Sequence, residues 1–211
     1  MTALAQDVVG GLSVSRETIA SLRALEAEVR RWTPVVNLVS RGSMDDLWGR
    51  HIADSAQIFR FCPGDARRWL DLGSGGGFPG LVVATLAQEL QPDLRVTLVE
   101  VDQRKAVFLR QTAQKLGLDV RVLAERIESL PPQGADVVSA RALAPLADLL
   151  DLAAPHLKPD GIALFPKGAR HAEEIAAARA AWIFDHDCLP SVSDPDAALL
   201  ILRKVHRAKL P

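Results

Sequence analysis

Residues 69–80 read Trp69-Leu-Asp-Leu-Gly-Ser-Gly-Gly-Gly-Phe-Pro-Gly80. A short apolar run ends here in a glycine-rich loop, and a helical pattern follows the loop. Glycine allows a positive φ and a close approach of the backbone to a ligand. The first turn of the next helix offers unpaired N–H groups and the positive end of its dipole. An α/β protein receives a nucleotide-like ligand in this way, so we expect a binding site over this loop.

The chain after residue 64 alternates short apolar segments with helical patterns. We predict buried strands at 68–72, 95–101, 120–124, 135–140 and 161–166, and helices at 80–90, 103–116, 145–156 and 169–181. Alternation of this kind indicates βαβ units with right-handed crossovers and a mostly parallel sheet. Segments 183–188 and 198–205 are predicted to pair as antiparallel strands.

The chain before residue 63 has a different pattern. Apolar residues at helical spacing predict a helix over 15–32, which Thr33-Pro34 should end because a residue before proline avoids the helical region. A second helix is predicted over 43–61, with Ser43 as its N-cap. We therefore expect a helical extension, residues 1–62, packed on one compact domain, residues 63–211.

Composition limits the classes of function. The 211 residues carry a net charge of −1, so any contact with nucleic acid must come from local basic patches. The two cysteines, Cys62 and Cys188, form neither a metal-ligand pattern nor a disulfide framework, and residues 1–11 lack the pattern of a signal peptide. No apolar run approaches the roughly 20 residues of a membrane span. We expect a cytoplasmic protein without a metal site or membrane association.

A carboxylate lies at the end of the strand that is predicted after the loop. Gly75, Gly77 and Gly80 match the pattern G-x-G-x-x-G, which by itself is often only a tight turn. The loop lies between a predicted strand and a predicted helix, as nucleotide binding requires. Glu100, at the end of the next strand, can accept hydrogen bonds from both hydroxyls of a ribose. The alternative is an exposed carboxylate at a strand end.

Nicotinamide dinucleotides and S-adenosylmethionine both fit this pattern. Asp71 stands two residues before Gly73, where dinucleotide sites usually have an apolar residue, and its carboxylate can hold the ammonium of a methionine group. The rest of the chain is also short for the substrate domain of a dehydrogenase. S-adenosylmethionine is therefore favoured, and a small NAD(P)-dependent oxidoreductase is the alternative.

Several segments together resemble the RsmG (GidB) family, which methylates guanine N7 in small-subunit ribosomal RNA. The likeness is carried by Arg50-His-Ile-Ala-Asp-Ser55, Asp71-Leu-Gly-Ser-Gly-Gly-Gly-Phe-Pro-Gly80, Arg104-Lys-Ala-Val-Phe-Leu109, Arg126-Ile-Glu128, Ser139-Ala-Arg-Ala142 and Lys167-Gly168. It implies a class I S-adenosylmethionine-dependent methyltransferase: a Rossmann-like α/β fold with N-terminal helices and a mostly parallel seven-stranded sheet whose last strand is antiparallel. It also implies a monomer acting on 16S rRNA or the small ribosomal subunit.

The resemblance assigns roles to individual residues. Gly73 and Phe78 would contact the cofactor, Glu100 its ribose, and Ile127 and Glu128 its adenine. Arg141 would lie where the cofactor meets the target base, on O6, a phosphate or the cofactor carboxylate. The complete predicted cofactor set is Asp71, Gly73, Ser74, Gly75, Gly77, Phe78, Glu100, Ile127, Glu128 and Arg141.

Candidate RNA contacts are mostly basic. They are Asn37, Arg50, His51, Arg104, Lys105, Lys167 and Arg170, and a solvated surface residue is the alternative for each charge. Guanine N7 has a free lone pair, so we assign no catalytic acid or base. Orientation of N7 against the methyl donor would supply the catalysis. A third hypothesis is a non-catalytic ribosome-assembly factor with the same fold.

Overall fold

The computed structural model describes residues 7–208, so residues 1–6 of the predicted extension and residues 209–211 lie outside the described part. A seven-stranded sheet runs through the molecule in the order β5-β4-β3-β6-β7-β9-β8. Its strands are β3 (Arg68–Leu72), β4 (Arg95–Val99), β5 (Val120–Leu123), β6 (Ala135–Ala140), β7 (Leu157–Lys167), β8 (Trp182–Pro190) and β9 (Ala198–Arg207). The first five pair in parallel, and β9 is antiparallel to both of its neighbours. The predicted sheet, including its antiparallel last strand, is confirmed.

Helices connect the strands close to the predicted positions. They are α3 (Gly80–Leu90), α4 (Gln103–Lys115), α5 (Leu146–Ala153) and α6 (His171–Ala178). The chain leaves β3 toward β4 and β5, then returns to place β6 on the other side of β3. Open α/β sheets bind ligands at the carboxyl ends of strands beside such a switch point. The glycine-rich loop follows β3 at this position.

The sheet separates two apolar cores. Consecutive residues of β3, such as Trp69 and Leu70, face opposite cores, because successive side chains of a strand point to opposite faces. One core contains residues of α3 and α4, and the other contains residues of α5 and Ala178 of α6. Both pack against the strands whose ends form the site.

The N-terminal segment packs on the first of these cores. Strands β1 (Asp7–Val9) and β2 (Leu12–Val14), which periodicity did not predict because each has three residues, form a hairpin before α1 (Arg16–Val36). Buried side chains of α1 join the core that contains α3 and α4. The division of the chain at residues 62 and 63 stays a prediction.

Helix α1 does not end before Pro34, so that predicted boundary is wrong. It continues to Val36, and Asn37 closes it in the left-handed conformation with φ 53°. The Asn37 N–H donates to the Thr33 carbonyl at 2.9 Å. The helix tolerates Pro34 because a proline in the last turn removes only one hydrogen bond. The left-handed conformation of Asn37 then ends the helix.

Asn37 was predicted to contact RNA, and its conformation offers a way to separate that role from a structural one. We expect Asn37→Ala to lower the free energy of unfolding by about 1 kcal/mol, because a Cβ without a polar group is strained at positive φ. We expect Asn37→Gly to be neutral within about 0.5 kcal/mol, since glycine adopts this conformation freely. Urea denaturation measures both variants. Loss of RNA binding in a fully stable Asn37→Gly variant would instead support the predicted contact.

The second predicted helix, 43–61, is broken into three pieces. A 3₁₀ turn (Arg41–Ser43) is followed by a π-helix (Trp48–Ala53) and by α2 (Asp54–Phe59). Ser43 does not cap a helix, because its hydroxyl donates to the Ser40 carbonyl at 2.9 Å. π-Helical turns are rare and frequent at functional sites. This one carries Arg50 and His51 toward the carboxyl edge of the sheet.

Candidate functional site

A buried polar network supports the glycine-rich loop from below. Asp71, near the end of β3, has no exposed surface. One of its carboxylate oxygens accepts from the Ser139 hydroxyl at 2.7 Å, and the other accepts from the Gly80 N–H at 3.2 Å. Ser139 in turn accepts from the Trp69 indole N–H at 2.8 Å. The network ties β3 to β6 and holds the first residue of α3.

Two of the predicted cofactor residues, Asp71 and Gly77, support the loop and do not line the cavity above it. Asp71 is fully buried and does not line the cavity above the loop, so the ammonium contact expected from its spacing stays a prediction. Gly77 is also absent from the cavity wall. With φ 84°, it makes a turn in which a Cβ would lie 2.6 Å from a methyl of Leu81. Asp71 and Gly77 thus shape the loop.

Burial raises the pKa of Asp71 to about 6 from an ordinary 3.8, against hydrogen bonds from Ser139 and Gly80 that lower it. The folded chain then holds a proton between about pH 4 and pH 6 that the unfolded chain has lost, so acidification through this window stabilises the fold. We expect the stability of the wild type relative to Asp71→Asn to rise by about 2 kcal/mol from pH 6.5 to pH 4. Urea denaturation of both proteins across this range measures it. A constant difference would contradict the placement.

The first cavity lies above the loop and has a volume of about 470 Å³. Its floor contains the glycines of the loop, and one wall is formed by the ends of β4 and β5. Of the predicted cofactor residues, it brings together Gly73, Ser74, Gly75, Phe78, Glu100, Ile127, Glu128 and Arg141. Gly73 has φ 64°, and a Cβ there would lie 2.7 Å from Leu143 in the opposite wall. Only glycine leaves this part of the cavity open.

Glu100 fastens the loop to the end of β4. Its two carboxylate oxygens accept separately from the backbone N–H groups of Gly75 and Asp102, each at 2.8 Å. The residue is 7% exposed. Because each carboxylate oxygen has two acceptor positions, one on each oxygen is still available to a hydroxyl group.

The far end of the first cavity is apolar on one side and acidic on the other. Ile127, in a 3₁₀ turn after β5, is 9% exposed, whereas Glu128 is exposed and pairs with Arg126 at 3.0 Å. Sequence reasoning missed the apolar residues that complete the wall: Leu38, Val39, Val99 and Leu143. Leu38 and Val39 follow the Asn37 helix stop, so the N-terminal segment forms part of the cavity.

A second cavity, of about 610 Å³, adjoins the first. The two share one wall, made of His51, Arg141, Ala142 and Leu143. Phe78 stacks on His51 with ring centroids 4.9 Å apart, and the Arg141 guanidinium carbon lies 5.4 Å from the Phe78 centroid. We call this four-residue partition the shared wall.

Arg141 is held in the shared wall from three sides. It donates to the Arg50 carbonyl at 3.1 Å, contacts Nδ1 of His51, and lies 3.7 Å from the Asp54 carboxylate. Asp54 also accepts from Gln57, Ser191 and Ser193, and thereby links α2 to the loop between β8 and β9. The structure thus brings His51 and Asp54 together on Arg141.

The predicted RNA contacts lie in different places. Arg50 and Lys167 line the second cavity, His51 lies in the shared wall, and Asn37 lines neither cavity. Lys167 is 8% exposed at its side chain, pairs with Glu174 at 2.8 Å and donates to the Ala144 carbonyl at 2.7 Å. Its charge is thus already balanced within the fold.

Within residues 7–208, His, Cys, Asp and Glu side chains form no group of three or more able to hold a metal ion. In the same range, none of the helices is both long and apolar enough to span a membrane.

The chain matches one protein family over most of its length. The profile of the family described as rRNA small subunit methyltransferase G covers residues 18–199. A protein of Cereibacter sphaeroides named ribosomal RNA small subunit methyltransferase G is 54% identical over 94% of this chain and 96% of its own. A protein of the same name from Ruegeria pomeroyi is 50% identical over 93% of this chain and 96% of its own.

Solved structures match the fold at low sequence identity. An O-methyltransferase from Bacillus cereus, solved in complex with SAH, aligns with a TM-score of 0.59 at 14% identity over 86% of this chain and 91% of its own. The mitomycin 7-O-methyltransferase MmcR aligns with a TM-score of 0.59 at 18% identity over 92% of this chain and 68% of its own. Family and fold agree with the predicted cofactor, S-adenosylmethionine. The chain therefore belongs to the rRNA small subunit methyltransferase G family and has the fold of class I methyltransferases.

Proposed function

We propose that this protein transfers a methyl group from S-adenosylmethionine to N7 of a guanine in 16S rRNA of the small ribosomal subunit. The observation that carries the proposal is the pair of cavities divided by one wall, the first built on the glycine-rich loop and Glu100. Methyl transfer needs two ligands that meet at one point. Two adjoining cavities at the switch point of the sheet provide such a meeting point.

The first cavity fits S-adenosylmethionine in size and in chemistry. Small-molecule sites usually measure about 300–1,000 Å³, and this one has about 470 Å³. Glu100 offers free acceptor positions for ribose hydroxyls, and Gly73 and Gly75 leave room for close approach of the ligand. The apolar Ile127, Val99 and Leu38 offer flat contacts for an adenine ring. Phe78 and Arg141 lie at the opposite end, next to the second cavity.

The reaction requires orientation of two ligands and little acid–base chemistry from the described residues. S-adenosylmethionine, when bound, supplies an electrophilic methyl group on a sulfonium. Guanine N7 has a lone pair and needs no deprotonation, so the protein mainly has to orient the two ligands. Glu100 anchors the ribose, and the shared wall sets where the base stops.

Charge balance in the shared wall favours this reaction. Positive charge moves onto the purine during methylation at N7, and an unbalanced cation nearby would oppose it. Asp54 lies 3.7 Å from Arg141 and offsets its charge. Arg141 can therefore stay at the junction without strong repulsion of the product.

Label transfer tests the proposal. The protein is incubated with S-adenosylmethionine labelled on the methyl group and with small subunits that lack the modification, and the RNA is digested to nucleosides. We expect the label in 7-methylguanosine. Label on an exocyclic amine or a ribose would refute the N7 assignment, and rRNA binding without transfer would favour the assembly-factor hypothesis. Binding of NADH but not S-adenosylmethionine would favour the oxidoreductase.

We further propose that the protein is cytoplasmic and monomeric.

A further inference from the structure

Cationic side chains outnumber carboxylates in the lining of the second cavity by four to three, the carboxylates being Asp54, Glu174 and Asp194. Its lining includes four cationic side chains, of which Lys167 and Arg141 are balanced by Glu174 and Asp54. Arg50 and Arg170 are exposed and, among residues 7–208, have no ion-pair partner. Unpaired arginines at a cavity rim suit the phosphates on either side of an extruded base.

His51 carries an unsatisfied donor in the shared wall. Burial, with Arg141 and Arg50 nearby and Asp46 opposing them, lowers its pKa to about 3, so the imidazole is neutral at pH 7. Because an Arg141 N–H donates to Nδ1, the single ring proton resides on Nε2. Within the described part of the chain, Nε2 is buried and has no hydrogen-bond partner. Buried donors without an acceptor are rare in folded proteins.

The shared wall has to part during the reaction. The methyl donor and the base occupy cavities on its two sides, and transfer requires them in direct contact. Opening of the wall uncovers the His51 ring, which lines both cavities. A ligand that supplies an acceptor beside the reacting atom would then satisfy the Nε2–H.

We propose that the second cavity receives the extruded target guanosine and that His51 Nε2–H donates a hydrogen bond to guanine O6. This inference rests on the proposed function. O6 lies next to N7 on the same edge of guanine, whereas adenine presents an amino donor at that position. His51 is thus a specificity-determining residue: it accepts guanine and opposes adenine while leaving the N7 lone pair free. Arg141 holds the ring through Nδ1 and does not itself need to contact O6.

Substitution of His51 by asparagine or by glutamine distinguishes the roles of its two ring nitrogens. Asparagine places an oxygen near the position of Nδ1 and keeps the contact to Arg141, but it has no donor at the Nε2 position. Glutamine reaches the Nε2 position and keeps a donor there. We expect His51→Asn to lower kcat/KM for small subunits by about 10- to 100-fold and His51→Gln by less than about fivefold. Any change in the Kd for S-adenosylmethionine or in the thermal midpoint should be similar in the two variants, because both lose the ring that stacks on Phe78 and lines the first cavity.

An RNA substitution gives an independent measurement. Once the methylated position is mapped, subunits are assembled with 2-aminopurine, which lacks O6, at that position. The preference of the wild type for guanine over 2-aminopurine should exceed that of His51→Asn by about tenfold or more, because the altered reactivity of N7 is common to both enzymes. Equal preferences, or equal activities of the Asn and Gln variants, would overturn the inference although guanine N7 is still methylated. Absence of 7-methylguanosine with the wild type would instead overturn the proposed function.

Arg50 and Arg170 give a second, surface-based test of the cavity. The double variant Arg50→Gln/Arg170→Gln should raise KM for small subunits about tenfold and leave the Kd for S-adenosylmethionine unchanged. Arg121→Gln is the matched control, because Arg121 is exposed on β5 and lines neither cavity. A double variant with the KM of this control would contradict entry of RNA through the second cavity.

Discussion

Glu100→Gln is expected to weaken S-adenosylmethionine binding by roughly 10- to 100-fold, which corresponds to about 1.4–2.7 kcal/mol. The carboxylate accepts from Gly75 and Asp102 at the same time. A glutamine has one acceptor oxygen, so its amide N–H₂ would face one of these backbone donors. One of the two backbone hydrogen bonds that Glu100 accepts would be lost, and the ribose would lose an acceptor. Isothermal titration calorimetry measures the change directly.

Glu173→Gln is a matched control for this substitution. Glu173 is an exposed carboxylate in the first turn of α6 and lines neither cavity. We expect it to bind S-adenosylmethionine as the wild type does. A Glu100→Gln variant that binds with unchanged affinity would show that the cofactor ribose does not lie against the end of β4.

Arg141→Ala is expected to lower methyl transfer by at least about 100-fold. The substitution removes the side chain that fixes His51 at the junction of the two cavities, so the orientation of the two ligands against each other is lost. It also leaves the Asp54 carboxylate, which is 10% exposed, without its cation, at an expected stability cost of about 2–3 kcal/mol. Single-turnover transfer assays and urea denaturation measure the two effects separately.

A second substitution separates these effects further. Asp54→Asn in the Arg141→Ala background removes the unpaired charge but keeps an oxygen for Ser191 and Ser193. The double variant should regain about half of the lost stability and none of the lost activity. Recovery of transfer together with stability would mean that Arg141 matters only for folding.

The loop and its sheet were predictable because their signals are local. β3 and α3 were predicted with their observed bounds, and the glycines and Glu100 mark a strand end and a turn within about 30 residues of sequence. The same spacing argument did not predict that Asp71 is fully buried. Spacing places a residue at a strand end, but it does not show whether the side chain lies above the loop or beneath it.

The shared wall was beyond sequence reasoning because it is assembled from distant segments. Asp54 meets Ser191 across 137 positions, and Arg141 meets His51 across 90. The π-helix that presents His51 has no simple periodic signal, so a regular α-helix was predicted there instead. The likeness to a family identified Arg141 as a candidate and the basic side chain of His51 made it another, whereas their contact and the two cavities follow only from the folded chain.

The most direct test is a crystal structure of the protein with S-adenosylhomocysteine. We expect the nucleoside above the glycine-rich loop, both ribose hydroxyls on Glu100, the adenine against Ile127, and the sulfur directed at the wall formed with Arg141. In that position the sulfonium of the methyl donor would face the second cavity. A ligand bound in the second cavity, or one whose sulfur points away from Arg141 into solvent, would contradict transfer across this wall.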